Sequence, residues 1–194
     1  MADSRHLIPF IFRHENYITD TDMYLPYEQL FAKAKANGLV ILNGDKGGPT
    51  LCGITMATYN EYCKKFGKPQ VNVETFMQMS AKDWLAVFDN LFWRKCNGDS
   101  IESQAVADMV VDWSWTSGNY ARKRVQKVVG VFQDGVIGNK TIAALNRAAK
   151  GPRFLERLAG ERMAYYVGIG DRDASQLKFV GGWINRTFDC LQWK

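Results

Sequence analysis

Histidine and metal-ligand cysteine patterns are what this sequence most lacks. Only 2 of its 194 residues are His, and its four Cys stand far apart at Cys52, Cys63, Cys96 and Cys190. No pair has the spacing of a zinc site, so a metal centre is not expected. In a chain long enough to build its own core, buried free thiols explain the cysteines better than two disulfides. Long apolar runs are also missing, which argues against stable membrane insertion. A secretory leader is not legible either. The opening Met-Ala-Asp-Ser-Arg-His carries an acid, and the apolar stretch from Leu7 to Phe12 is short and holds Pro9. The expectation is synthesis in the cytoplasm, with something else delivering the protein to any target outside. There is no internal repeat, low-complexity tract or obvious linker.

Basic charge and aromatic side chains are plentiful. The net charge is +5, aromatics make up 13% of residues, and there are six Trp and eight Tyr. The charge is local. Between Arg122 and Arg162, ten basic residues face only Asp134, Glu156 and Glu161. A positive field draws a protein towards anionic polymers, but it does not choose among nucleic acid, membrane and cell wall. Most aromatics belong to a core; some can serve as flat platforms for the apolar faces of sugars.

Periodicity predicts a mainly α fold. The first helix spans 4–17, with Leu7, Ile8, Ile11 and Phe12 at helical spacing and Pro9 in its first turn. A second helix covers 27–36 and stops at Asn37-Gly38. Leu39 to Leu42 reads as a short strand, followed by a Gly-rich loop. Further helices are expected at 55–66, 73–78, 80–97, 101–116, 119–129, 139–149, 152–168 and 175–192. Ser80 with Asp83, and Ser100, are cap candidates. The chain divides at about residue 97, giving units 1–97, with an insertion around 18–42, and 98–194.

Four segments could carry chemistry. Glu15 projects from the apolar side of the first helix, seven residues after Ile8 and four after Ile11. Burial disfavours a charged carboxylate, and a protonated Glu can donate to a leaving-group oxygen. On spacing alone, a helix-end Glu meeting water or an Arg explains the position better. The loop from Asp45 to Thr55, Asp-Lys-Gly-Gly-Pro-Thr-Leu-Cys-Gly-Ile-Thr, offers a carboxylate and the Thr50 hydroxyl on a backbone that a substrate can approach. It lacks the Gly-Lys-Ser/Thr ending of a phosphate loop, and by itself a plain turn into the helix at Thr55 explains it better. The stretch Val110 to Tyr120 clusters Trp113, Trp115 and Tyr120 around a Gly118 cap. At least one Trp is expected in the core, and Asp112 reads as a buried structural carboxylate. Gly130 to Thr141 reads as an Asp-Gly turn and a helix start, no more.

Taken as a set, these segments resemble glycoside hydrolase family 108, peptidoglycan-degrading enzymes of the lysozyme-like superfamily. The family's opening helix ends in Glu-Gly-Gly-Tyr, and His14-Glu15-Asn16-Tyr17 stands in that place. Its second motif, Asp-x-Gly-Gly-x-Thr-x-x-Gly-Ile-Thr, is met in full by Asp45 to Thr55. Val111-Asp-Trp-Ser-Trp-Thr-Ser-Gly118 and Asp134-Gly-Val-Ile-Gly-Asn-Lys-Thr141 resemble its peptidoglycan-binding region. Two departures stand out. Asn16-Tyr17 replaces the Gly-Gly, and the stretch from Glu15 to Asp45 is longer than usual by roughly twenty residues, beyond an ordinary loop difference. Aligned without an insertion, Ala36 would occupy the acid position. The match of Leu7 to Glu15 to the family's opening helix favours Glu15.

The resemblance implies a lysozyme-like helical fold with a small β or loop element near the active site, and an N-acetylmuramidase. Glu15 would be its general acid, with Asp45 and Thr50 handling water or the developing cation on the opposite face. Tyr17, Trp115 and Tyr120 are candidate sugar contacts. Peptidoglycan glycan strands are the expected partner, and no cofactor is called for. A monomer acting on the wall after release or holin-type export fits best. A wall-binding module without activity is the alternative. A nucleic-acid binder using the basic run Tyr120 to Lys127 is a weaker one, because a solvated basic face explains that run more simply.

Overall fold

The computed structural model describes residues 1–37 and 48–193. It is mainly α, as the periodicity predicts, and falls into two compact units. One is Arg5–Leu91; the other joins Met1–Ser4 to Phe92–Lys194.

The first unit is built from α1 (Ser4–Asn16), α2 (Tyr27–Ala36), the hairpin β1 (Thr50–Leu51) and β2 (Ile54–Thr55), α3 (Met56–Lys65), the short α4 (Val73–Met77) and α5 (Ala81–Phe88). Helix α1 buries Leu7, Ile8, Phe10, Ile11 and Phe12. Pro9 is its sixth residue, inside the helix and not in the first turn as expected. It cannot donate to the carbonyl four residues back. Burial of the flanking apolar residues holds the helix together across that gap. Phe12 meets the edge of Trp84 on α5 at 4.6 Å, and Trp84 stacks on Phe88 at 5.4 Å. Asn72 and Ser80 cap α4 and α5 in reciprocal capping boxes, the second with Asp83 as expected.

Sequence periodicity gives no sign of the hairpin. Thr50 pairs with Thr55 and Leu51 with Ile54, which leaves Cys52-Gly53 as a two-residue turn. Both turn residues have positive φ, 50° and 75°, the geometry that matches strand twist in a tight hairpin. Thr55 then caps α3 by accepting from the Thr58 N–H at 3.1 Å. The strand expected at Leu39 to Leu42 lies outside the described residues.

The second unit centres on α6 (Gln104–Val128), α8 (Phe154–Arg172) and α9 (Leu177–Gln192), with α7 (Asn139–Ala149) beside α8. One expectation is corrected here. Ser103 caps α6, whereas Ser100 ends a 3₁₀ turn. The Asn146 side chain holds this stretch by donating to the Ser100 carbonyl and accepting from the Glu102 N–H, each at 2.9 Å. The helices expected at 101–116 and 119–129 are both present as the two stretches of α6 on either side of Gly118, whose φ of 56° and ψ of −129° are non-helical. Gly118 therefore breaks α6 where the sequence places a helix-ending glycine. All four cysteines are buried free thiols. Among the described residues, no helix is long and apolar enough to cross a membrane.

Candidate functional site

The last turn of α1 carries four polar side chains in a row. Arg13 pairs with Asp20 at 3.3 Å, and the His14 ring lies 4.5 Å from Phe10. Glu15 is half-buried and Asn16 is buried. Glu15 therefore stands at the margin of the apolar face and not within it. Tyr17 ends the helix with φ of 53°, and its ring is 90% exposed. A left-handed residue just past a helix end is the usual place of glycine, because a Cβ is strained there. Tyr17 bears that strain where the resembling family has a Gly.

The next element returns to the same point. The α2 terminus is held down by Lys35, which donates to the Met79 carbonyl at 3.0 Å, and by Lys33, paired with Asp22. That lysine, with the Thr19 hydroxyl and N–H, keeps the Asp22 carboxyl below its ordinary range. Asn37 follows, and its side-chain amide donates to the Asn16 carbonyl. The segment that carries Asp45 thus leaves from a residue bonded next to Glu15. Asp45 itself lies outside the described residues.

Thr50 is on β1, half-buried, and its hydroxyl donates to the Gly48 carbonyl at 3.3 Å. The hairpin is tied to α5 by a buried bond of 2.8 Å from Trp84 Nε1 to the Cys52 carbonyl. Trp84 is a strut. One side of its indole meets Phe12, three residues before Glu15, and its N–H holds Cys52, two residues after Thr50. Burial pushes the Cys52 thiol up to about 12, so it stays protonated and inert. The sequence marks Asn37 only as a helix stop and does not single out Trp84. An amphipathic helix gives Trp84 away as core, but nothing in the sequence names its distant carbonyl partner.

Trp115 and Tyr120 belong to the second unit. Trp115 is half-buried against Phe92 at 4.4 Å, and Tyr120 is 72% exposed. Trp113 is the core tryptophan of the pair, fully buried beside Tyr165. Asp112 is the structural carboxylate expected. It accepts from Arg162 of α8 at 2.7 Å and from Arg186 of α9 at 2.7 and 3.1 Å. Burial alone would raise its pKa, but Arg186 and Arg162 outweigh that effect and hold it at about 2. The basic run after Tyr120 is less solvated than its composition suggests. Arg122 is buried, donating to the Gly135 carbonyl at 2.8 Å and the Ser114 hydroxyl at 3.0 Å. Arg124 and Lys127 both pair with Glu161, at 2.7 and 2.9 Å.

The family model described as Glycosyl hydrolase 108 matches residues 35–118, and one described as Predicted Peptidoglycan domain matches 120–188. The solved structure of SagA from Brucella abortus is 32% identical over 84% of this chain and 91% of that chain, with a TM-score of 0.66. The chain belongs to glycoside hydrolase family 108. No curated protein matches it. As a family 108 protein it has the mainly α, lysozyme-like fold and the two parts of a peptidoglycan hydrolase, a glycoside hydrolase region followed by a peptidoglycan-binding region. The two matched spans meet at the Gly118 kink of α6. The glycoside hydrolase 108 span begins past Glu15, at residue 35.

Proposed function

We propose that this protein cleaves the β-1,4 bond between N-acetylmuramic acid and N-acetylglucosamine in peptidoglycan, with Glu15 as the general acid. The observation that carries this reading is the bond from Asn37 to the carbonyl of Asn16, the residue after Glu15. Glycoside hydrolysis needs one carboxylic acid to protonate the departing oxygen and a second group for the water or the developing cation. Glu15 takes the first task. Asp45 stabilises the cationic transition state or polarises the water, and Thr50 positions that water. The Trp84 strut supports the reading, since it steadies both the helix of Glu15 and the hairpin of Thr50. Tyr17 offers an exposed ring for a sugar face next to the acid. Trp115 and Tyr120 are proposed as separate contacts to the wall polymer. A bacteriolytic role after release or holin-type export is part of the same reading.

One observation favours a second reading. The glycoside hydrolase 108 span starts at residue 35, where an alignment without the insertion puts Ala36 in the acid position. The protein would then be a wall-binding module without activity. Digestion of purified peptidoglycan by the wild type and by Glu15→Gln, followed by mass spectrometry, separates the two. Fragments with reducing N-acetylmuramic acid ends, lost in the variant, are expected. Wall binding without fragments from the wild type would leave the inactive module as the better account.

A further inference from the structure

The loop from Gly130 to Gly138 is held with unusual firmness for an exposed connection. Gln126, buried on α6, is its hub. The Gln126 amide donates to Asp134 Oδ1 at 2.7 Å and to the Val136 carbonyl at 3.0 Å, and its oxygen accepts from the Gly135 N–H at 2.7 Å. Arg122 takes the Gly135 carbonyl, and Asn97 donates to the Ile137 carbonyl. Gly135 has φ of 80°, and a Cβ there would meet Asn119 Oδ1 at 1.9 Å. Any side chain at that φ would be strained and would have to displace the Asn119 amide.

This rigid frame displays groups that the fold does not use. Phe132 is 85% exposed and Val136 66% exposed, beside a cavity of about 270 Å³. The same cavity is lined by Asp134 and Lys140, two exposed side chains of opposite charge. Both hydrogen bonds to Asp134 fall on Oδ1, from the Gln126 amide and the Val136 N–H. Lys123 acts on the Asp134 carboxylate through space, and among the described residues no hydrogen bond or ion pair reaches Asp134 Oδ2 or the Lys140 ammonium. Exposed apolar side chains held in fixed geometry at a concave site mark a binding surface.

We propose that this cavity binds the free amino-acid end of a peptidoglycan stem peptide, an ammonium and a carboxylate on one carbon, as a diamino acid of the stem carries. Asp134 meets the ammonium, Lys140 meets the carboxylate, and Phe132 with Val136 covers the methylene chain. The inference rests on the peptidoglycan reading above and names which part of the polymer this region recognises. Charge chooses the peptide over the glycan. The cavity of about 270 Å³ has room for one amino-acid residue. In the intact wall the sugars are N-acetylated and the lactyl carboxyl is spent in an amide. Paired charges are therefore found on the stem and not on the glycan.

The test uses the full chain and three probes: the tripeptide alanyl-γ-glutamyl-diaminopimelic acid, the same tripeptide amidated at its free end, and a chito-oligosaccharide. Calorimetric titration should show the free tripeptide binding at least tenfold more weakly to Lys140→Met and to Phe132→Ala than to wild type. Both positions are exposed, so folding is spared. The amidated tripeptide should bind the wild type as weakly as the free one binds Lys140→Met, and oligosaccharide binding should be the same in all three proteins. Equal tripeptide affinity in wild type and both variants would overturn the proposal. So would a wild type that pulls down with whole sacculi but ignores the tripeptide, and that result leaves the peptidoglycan reading standing. A wild type that fails to bind sacculi removes both.

Discussion

At the scale of single residues, the end of α1 is where this chain departs from the family motif. Tyr17 adopts the left-handed conformation that costs a non-glycine residue about 1–2 kcal/mol. Glycine would remove that strain but would lose more chain entropy on folding, about 0.5–1 kcal/mol. The two effects nearly cancel, so Tyr17→Gly should change stability by less than about 1 kcal/mol. If the exposed ring is a sugar platform, the same substitution should raise KM several-fold at little cost in kcat. Thermal melts beside steady-state kinetics on soluble glycan fragments read both quantities. A changed melt with unchanged KM would make Tyr17 a purely conformational residue.

At the scale of elements, the hairpin is too small to stand alone, and what fixes it is another element. Two strands of two residues each are far below independent stability. The Trp84 N–H bond to the Cys52 carbonyl anchors the turn from α5. Trp84→Phe keeps a ring against Phe12 and deletes the donor. The carbonyl is then buried without a partner, a loss of about 1–3 kcal/mol. Denaturant melts should show that loss, and wall cleavage should fall more steeply than stability, because Thr50 lies on the loosened hairpin. Activity retained in full would separate Thr50 from the chemistry. The same variant would also test whether Cys52, at positive φ, relaxes once its carbonyl is released.

At the scale of the whole molecule, electrostatics sets the conditions of stability and of binding. Asp112 joins three helices through Arg162 and Arg186. Its pKa is about 2 folded against an ordinary 3.8. The unfolded chain therefore takes up this proton first as the pH falls. The contribution of the carboxylate is complete above about pH 4 and is lost as the pH drops through 2, an amount of about 2 kcal/mol. Denaturant melts from pH 5 to pH 2 should show this loss, and Asp112→Asn should flatten that part of the profile. The same substitution leaves two buried guanidinium groups uncompensated and should cost about 3–5 kcal/mol at neutral pH. The net charge of +5 carries a second expectation. Binding to purified wall should weaken from about 0.05 to about 0.5 M salt, because exposed charges are screened over about 10 Å or less through most of that range. Salt-independent binding would place the affinity in apolar and hydrogen-bonded contacts alone.

Much of this was written in the sequence, because helices announce themselves locally. The 3.6-residue spacing located α1 to α3 and α7 to within a few residues, and Ser80 with Asp83 announced the α5 cap. The core role of Trp113 and the structural role of Asp112 followed from apolar surroundings, although the two arginines that hold Asp112 are 50 and 74 residues away and could not be read. Family membership was legible because its motifs lie in short contiguous runs. Tertiary structure decided what depends on distant partners. It buried Arg122 within a run that composition presents as a solvated basic face. It turned Cys52-Gly53 into a hairpin whose strands are too short to show a period of two. It also made Pro9 an interior helix residue, because buried neighbours offset a missing hydrogen bond. Spacing along a chain fixes which residues share a face; only packing fixes what that face meets.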